Sequence, residues 1–256
     1  MSDTIRRYSP FMRIILCILA IIYLVVIAAC QPVRALSLDS QELELKIIQV
    51  LKDHPEVILE SVETYQEQQY AAQQEAQRAY IKEIQSNPDQ LIGHSPITSD
   101  SKGKLLMVEF ADFQCPYCAV AHESLKAFVA DHANEVALVY KHYPLANIHP
   151  EAVPAAQAAW AAGQQGKFWE YHGLLFEQQE RLDDTVVVEL AKSLNLDLDQ
   201  FNRDRNSSAA AEAIEKDMQL ADQLGIDGTP FLVMGDQVMA GAVEREVLEE
   251  ALSNQL

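Results

Sequence analysis

Leu105-Leu106-Met107-Val108-Glu109-Phe110, closely followed by Cys115-Pro116-Tyr117-Cys118, is the stretch whose reading decides the fold. An apolar run leading into a CxxC pair is how a strand presents a redox dithiol at the start of a helix. Pro116 suits the first helical position, which would leave Cys115 at the helix N-terminus facing unpaired backbone N–H groups and the positive end of the helix dipole. That environment favours thiolate over thiol and makes Cys115 the nucleophile. Cys118, one turn further in, reads as the resolving thiol. A CxxC is also half of a zinc site. The other cysteines, Cys17 and Cys30, lie in or at the end of an N-terminal apolar run and supply no second ligand pair. His122, at helical spacing from Cys118, is the one conceivable third ligand and reads instead as a surface histidine. No metal and no cofactor are expected.

Working outward, 256 residues accommodate one substantial domain with appendages. Arg6, Arg7 and Arg13 precede the apolar run Ile14 to Ala29, a pattern similar to a secretory signal. Three outcomes compete there: lipidation at Cys30, since Ile27-Ala28-Ala29-Cys30 resembles a lipobox; ordinary cleavage after Ala35; or retention as an uncleaved anchor. Each places the rest of the chain in an oxidising, extracytoplasmic compartment, where the CxxC pair can cycle. Without residues 1–29 the chain loses three Arg and one Asp, leaving 16 basic and 37 acidic residues against 19 and 38 in the whole, a balance of −21. Such acidity argues against nucleic acid and anionic lipid surfaces as partners.

Residues 30–86 read as a helical segment, interrupted at Asp53-His54-Pro55, with Leu43, Ile47, Val50 and Leu51 on one stripe. Beyond Pro55, the residues Ile58, Val62, Tyr65, Gln69, Ala72, Ala76 and Ala79 make a thin heptad-like seam. It fits either self-association through residues 39–85 or a solvated spacer. Residues 87–104, with Pro88, Gly93, Pro96 and Gly103, read as a linker. The catalytic domain is placed at 105–256: strands at 105–111 and 136–142 around a helix from Pro116 to His132, then a helical insertion at about 147–224. Its helices are expected near 150–164, 167–179, 183–194 and 208–224. A hairpin, Phe231 to Met234 and Gln237 to Ala240, and a helix from Glu244 to Leu252 close the chain. This order predicts an α/β thioredoxin fold with an all-helical insertion, preceded by an N-terminal helical segment.

Residues 103–253 resemble the DsbA-like thiol-disulfide oxidoreductase family in Val108-Glu109-Phe110-Ala111-Asp112-Phe113-Gln114-Cys115-Pro116-Tyr117-Cys118, Tyr140-Lys141-His142-Tyr143-Pro144-Leu145, Gly166-Lys167-Phe168-Trp169 and Gly228-Thr229-Pro230. The segment Leu51 to Ile58 is similar to the ScsC-type branch, where such helices serve oligomerisation. The resemblance implies that Thr229-Pro230 is a cis-proline loop facing the dithiol and binding substrate together with Pro116 and Tyr117. It also implies that Glu109 is a buried acid and Lys141 its basic partner. A carboxylate inside an apolar strand should titrate late, so Glu109 either relays a proton for Cys118 or forms a salt bridge with Lys141. His142, His149 and His172 show no metal spacing and read as surface or loop residues.

The resulting expectation is an exported, membrane-tethered thiol-disulfide oxidoreductase that forms or reshuffles disulfides in cysteine-containing envelope proteins. A quinone-linked or a reducing membrane partner would recycle it, according to direction. The alternative is a chaperone or copper(I)-binding module using the same dithiol.

Overall fold

The computed structural model describes residues 40–255 together with Leu19, Ile21 and Tyr23; the rest of the signal-like segment, the Cys30 lipidation site and the cut after Ala35 lie outside the described residues. Among the described residues no helix is long and apolar enough to cross a membrane. The chain divides into two compact units, one ending at Glu67 and the other beginning at Gln68. The first holds α1 (Ser40–Asp53) and the start of α2 (Pro55–Gln85). Pro55 cannot donate to the preceding turn, so α1 ends at Asp53 and a new helix begins. The apolar stripe of this unit is exposed: Leu43, Ile47, Val50, Leu51, Val57, Ile58 and Val62 all face solvent.

The second unit opens inside α2, not after it. Ile81 is buried, and Tyr80 packs beside it. The residues expected as a linker are folded as well. Helix α3 (Pro88–Ile92) buries Leu91, and Ile97 forms a β-bridge with Val139. Thr98 N donates to Leu138 O at 3.0 Å and Tyr140 N to Pro96 O at 3.1 Å. Proline and glycine marked the bends correctly, but the free edge of the adjoining strand recruits the backbone between them.

Strand β1 (Leu105–Ala111) runs to α4 (Pro116–Asp131) and returns as β2 (Val136–His142), parallel to β1 with Glu109 opposite Tyr140 and Phe110 opposite Lys141. The insertion follows as α5 (Ala152–Gln164), α6 (Phe168–Glu177), α7 (Asp184–Ser193) and α8 (Leu198–Arg205). The last of these falls where the sequence reading placed an irregular break. Asp197 caps it by accepting from Gln200 N at 2.9 Å, but only Phe201 on it is buried, so its apolar period is faint. Helix α9 (Ser208–Gln223) belongs to the sheet, packing Ala221 with Val139 and Phe110. Strands β3 (Phe231–Met234) and β4 (Gln237–Ala240) form the hairpin, and α10 (Arg245–Ser253) ends the chain. The sheet order is β2-β1-β3-β4 with β3 antiparallel to β1, the thioredoxin arrangement.

Because strand side chains alternate, the sheet has two separate cores. Met107, Leu138, Leu232 and Met234 face α4 and α10. Val108, Phe110, Val139 and Val233 face α2, α3 and α9.

Candidate active site

Cys115 is the N-cap of α4, with extended backbone (φ −73°, ψ 119°), and Pro116 holds the first helical position. Both Cys115 and Cys118 are free thiols. Hydrogen bonding from the Cys118 thiol, joined by bonds to Thr229 and to the backbone N–H groups of Cys118 and Tyr117, brings Cys115 down to about 5 against the opposing effect of burial. The helix N-terminus thus contributes, but the neighbouring thiol contributes most. Cys118 is buried, and loss of hydration pushes its pKa strongly upward. The pair is asymmetric: one stabilised thiolate, one thiol held neutral.

The Thr229-Pro230 peptide bond is cis. Cys115 Sγ lies 3.3 Å from Thr229 O, so the loop and the sulfur are in contact. Tyr117 is 64% exposed beside them and offers an aromatic surface at the mouth of the site. Two supports carry no motif. Asp112, fully buried, accepts from Gln114 N at 2.7 Å and Leu145 N at 2.9 Å, and pairs with His149 Nδ1 at 2.7 Å, fixing the turn before Cys115. Gln179 Nε2 donates to Phe113 O at 2.8 Å and Cys115 O at 2.9 Å, strapping the insertion onto the same turn. Asp112 is visible in the strand-to-CxxC stretch, whereas Gln179 could be found only from the fold.

Glu109 and Lys141 do not pair. In the β1–β2 register Glu109 shares a face with Tyr140, while Lys141 shares the opposite face with Phe110. Lys141 Nζ instead bonds Asp217 Oδ1 of α9 at 3.1 Å and Ile92 O at 3.3 Å. Glu109 is left buried with Oε1 unpartnered, and burial pushes it up to about 8. It stands near enough to Cys118 to act on that thiol electrostatically.

Nor do His122, His142 and His172 lie at the surface; all three are buried. Ring centroids of His172 lie 4.8 Å from Tyr140 and 4.9 Å from His122, and Phe113 and Phe176 complete the cluster. Loss of hydration lowers all three imidazoles, His142 to about 4, which keeps them neutral packing groups. His149 is partly exposed, and Asp112 holds it. Among the described residues no cluster of His, Cys, Asp and Glu could hold a metal ion.

A helix-capping thiolate paired with a buried thiol, set against a proline loop on a β2-β1-β3-β4 sheet, defines the dithiol site of a thioredoxin fold. Residues 107–253 match the family model of the DSBA-like thioredoxin domain, and the chain belongs to that family. It is similar to a thioredoxin-like oxidoreductase from Silicibacter pomeroyi, with 32% identity and a TM-score of 0.59 over 66% of this chain and 97% of that one. Proteus mirabilis ScsC in a transitional conformation is 26% identical, with a TM-score of 0.60 over 84% of this chain and 95% of that one. Among curated relatives, an antiporter named Na(+)/H(+) antiporter NhaA 3 from Salinispora tropica is 37% identical over 146 residues. The match takes in 57% of this chain but 22% of that protein, so the chain corresponds to about a fifth of its length.

Proposed function

We propose that the protein donates disulfides to cysteine-bearing proteins outside the cytoplasm through Cys115 and Cys118. The observation that carries this reading is the asymmetric pair, with a stabilised Cys115 thiolate beside a buried, neutral Cys118. Stabilising the reduced form makes the corresponding disulfide a stronger oxidant. A substrate thiolate attacks Cys115 Sγ of the enzyme disulfide, forming the mixed disulfide while Cys118 leaves and takes up a proton. A second substrate thiolate then attacks the substrate sulfur and releases the Cys115 thiolate as a good leaving group. Glu109, protonated at neutral pH, is the group poised to give and retrieve the Cys118 proton. Thr229, Pro230, Pro116 and Tyr117 form the substrate-contacting surface around the sulfurs.

Export is supported by the signal-like N-terminus. A membrane tether through Cys30 or the apolar run, and a quinone-linked partner that restores the disulfide, complete the proposal. The exposed apolar stripe of α1 and early α2 favours a second reading, in which several copies associate through residues 39–85 and the dithiol reshuffles disulfides. Equilibration of the CxxC couple with glutathione separates the two. Donation predicts a potential near about −120 mV, against about −180 mV for an isomerase and about −270 mV for a reductant. A value at or below about −180 mV would overturn the donor reading.

A further inference from the structure

A groove of about 580 Å³ opens along Gly228, Thr229 and Pro230, and its opposite wall is α2, the helix that sequence alone read as a spacer or a self-association segment. We propose that this part of α2 sets substrate specificity. The groove takes an extended, cysteine-bearing polypeptide segment, the amides of Gln73 and Gln74 bond its backbone, and Arg78 selects an acidic side chain next to the cysteine. The proposal rests on the disulfide-exchange reading above.

The wall is held in place. Gln77 Nε2 donates to Leu224 O and Tyr80 OH to Gln223 Oε1, each at 2.6 Å, and Ile81 is buried beneath them. Gly225 has φ +67°, and a Cβ there would stand 3.2 Å from Gln73 Nε2, so the helix closes directly over the loop. Tyr70, Gln73, Gln74, Gln77 and Arg78 share one helical stripe and all line the groove. The occupant is set by continuity with the sulfur. Thr229, whose carbonyl is 3.3 Å from Cys115 Sγ, forms part of the floor, so a chain joined to Cys115 must pass along it. An extended segment beside a proline loop can pair as an added strand, and side-chain amides on the other wall supply both donors and acceptors for it. Tyr70, 65% exposed, adds aromatic area at the rim. Among the described residues no carboxylate closes a salt bridge with Arg78; Asp236 feels its charge from the β3–β4 turn, and the side chain lines the groove. Asp227 stands on the loop side, so an acidic substrate residue fits only toward the helix.

The test uses the full chain with its disulfide formed and measures the second-order rate constant for single-turnover oxidation of two synthetic dithiol peptides, the Cys115–Cys118 disulfide taking up the two electrons. These differ only in Glu or Lys next to the attacking cysteine, and each is referred to dithiothreitol oxidised by the same variant. Intrinsic peptide reactivity cancels when variants are compared on one peptide. Arg78→Glu should shift the Glu-to-Lys preference by about tenfold toward Lys, and Gln73→Ala with Gln74→Ala should lower both peptide-to-dithiothreitol ratios by about tenfold. Ratios within about twofold of wild type in both variants, with dithiothreitol still oxidised, would overturn the specificity wall alone. A wild-type protein that oxidises neither peptide nor dithiothreitol would overturn the exchange reading itself.

Discussion

The two faces of the central sheet bury charge in opposite ways. On the face toward α9, Asp217 is saturated: Lys141 Nζ reaches it at 3.1 Å, Ser95 Oγ at 3.2 Å and His142 N at 3.0 Å. On the face toward α4, the buried atoms Glu109 Oε1, Tyr140 OH and His172 Nε2 have no hydrogen-bond partner. A satisfied ion pair fixes structure, because losing either member strands a charge. An unpaired acid that stays neutral costs less and keeps a transferable proton. Cys118 lies with the second set, so the face toward α9 is the scaffold and the face toward α4 serves the chemistry.

The largest effect should come at the thiols. Cys115→Ser should abolish disulfide transfer, while Cys118→Ser should accumulate mixed disulfides with substrate, visible as thiol-sensitive adducts on non-reducing gels. Adducts with Cys115→Ser, and none with Cys118→Ser, would exchange the two assignments.

Next comes the ion pair. Asp217→Ala should cost about 3–5 kcal/mol by chemical denaturation while leaving the titration of Cys115 in place. A loss below about 1 kcal/mol would mean that Lys141 finds other partners and that the scaffold face is less rigid than its geometry implies.

The smallest effect separates the faces by pH. Glu109 titrates at about 8 folded and 4.5 unfolded, so the folded state holds an extra proton between these values. Its contribution is complete below the unfolded value and is lost as pH rises through the folded one, at up to about 1.4 kcal/mol per pH unit. Cys115 acts in the opposite sense, its folded value being depressed, so the measurement belongs on the disulfide form. There, between about 6.5 and 8, above the range in which the lowered imidazoles of His122, His142 and His172 titrate, Glu109→Gln should flatten the stability–pH curve, whereas Lys141→Met should not. An equally steep curve in Glu109→Gln would remove Glu109 as the proton carrier.

Much of the fold was legible because its signals are local. The alternation of β1, Pro116 behind Cys115 and the turn between β3 and β4 each constrain their own few residues. Helix α8 escaped because Phe201 is its only buried side chain, although its Asp197 cap was readable. Residues 87–104 were misread because composition marks bends and says nothing of the strand edge that Ile97 meets.

The sequence by itself determined the dithiol and the thioredoxin succession of strands and helices, which follow from the properties of adjacent residues and from short spacings; the proline loop came from the resemblance to the DsbA-like family. Tertiary structure decided which partner each buried polar group receives. The pairing of Glu109 with Tyr140 and of Phe110 with Lys141 sends acid and base to opposite faces, a consequence of register that neither strand encodes alone. The histidines are buried only because α6 closes over the sheet, and α2 becomes a wall of the groove only because α9 and the Gly225 turn receive it. Such outcomes depend on contacts between segments distant in the chain, where the free energy of burial overrides local preference.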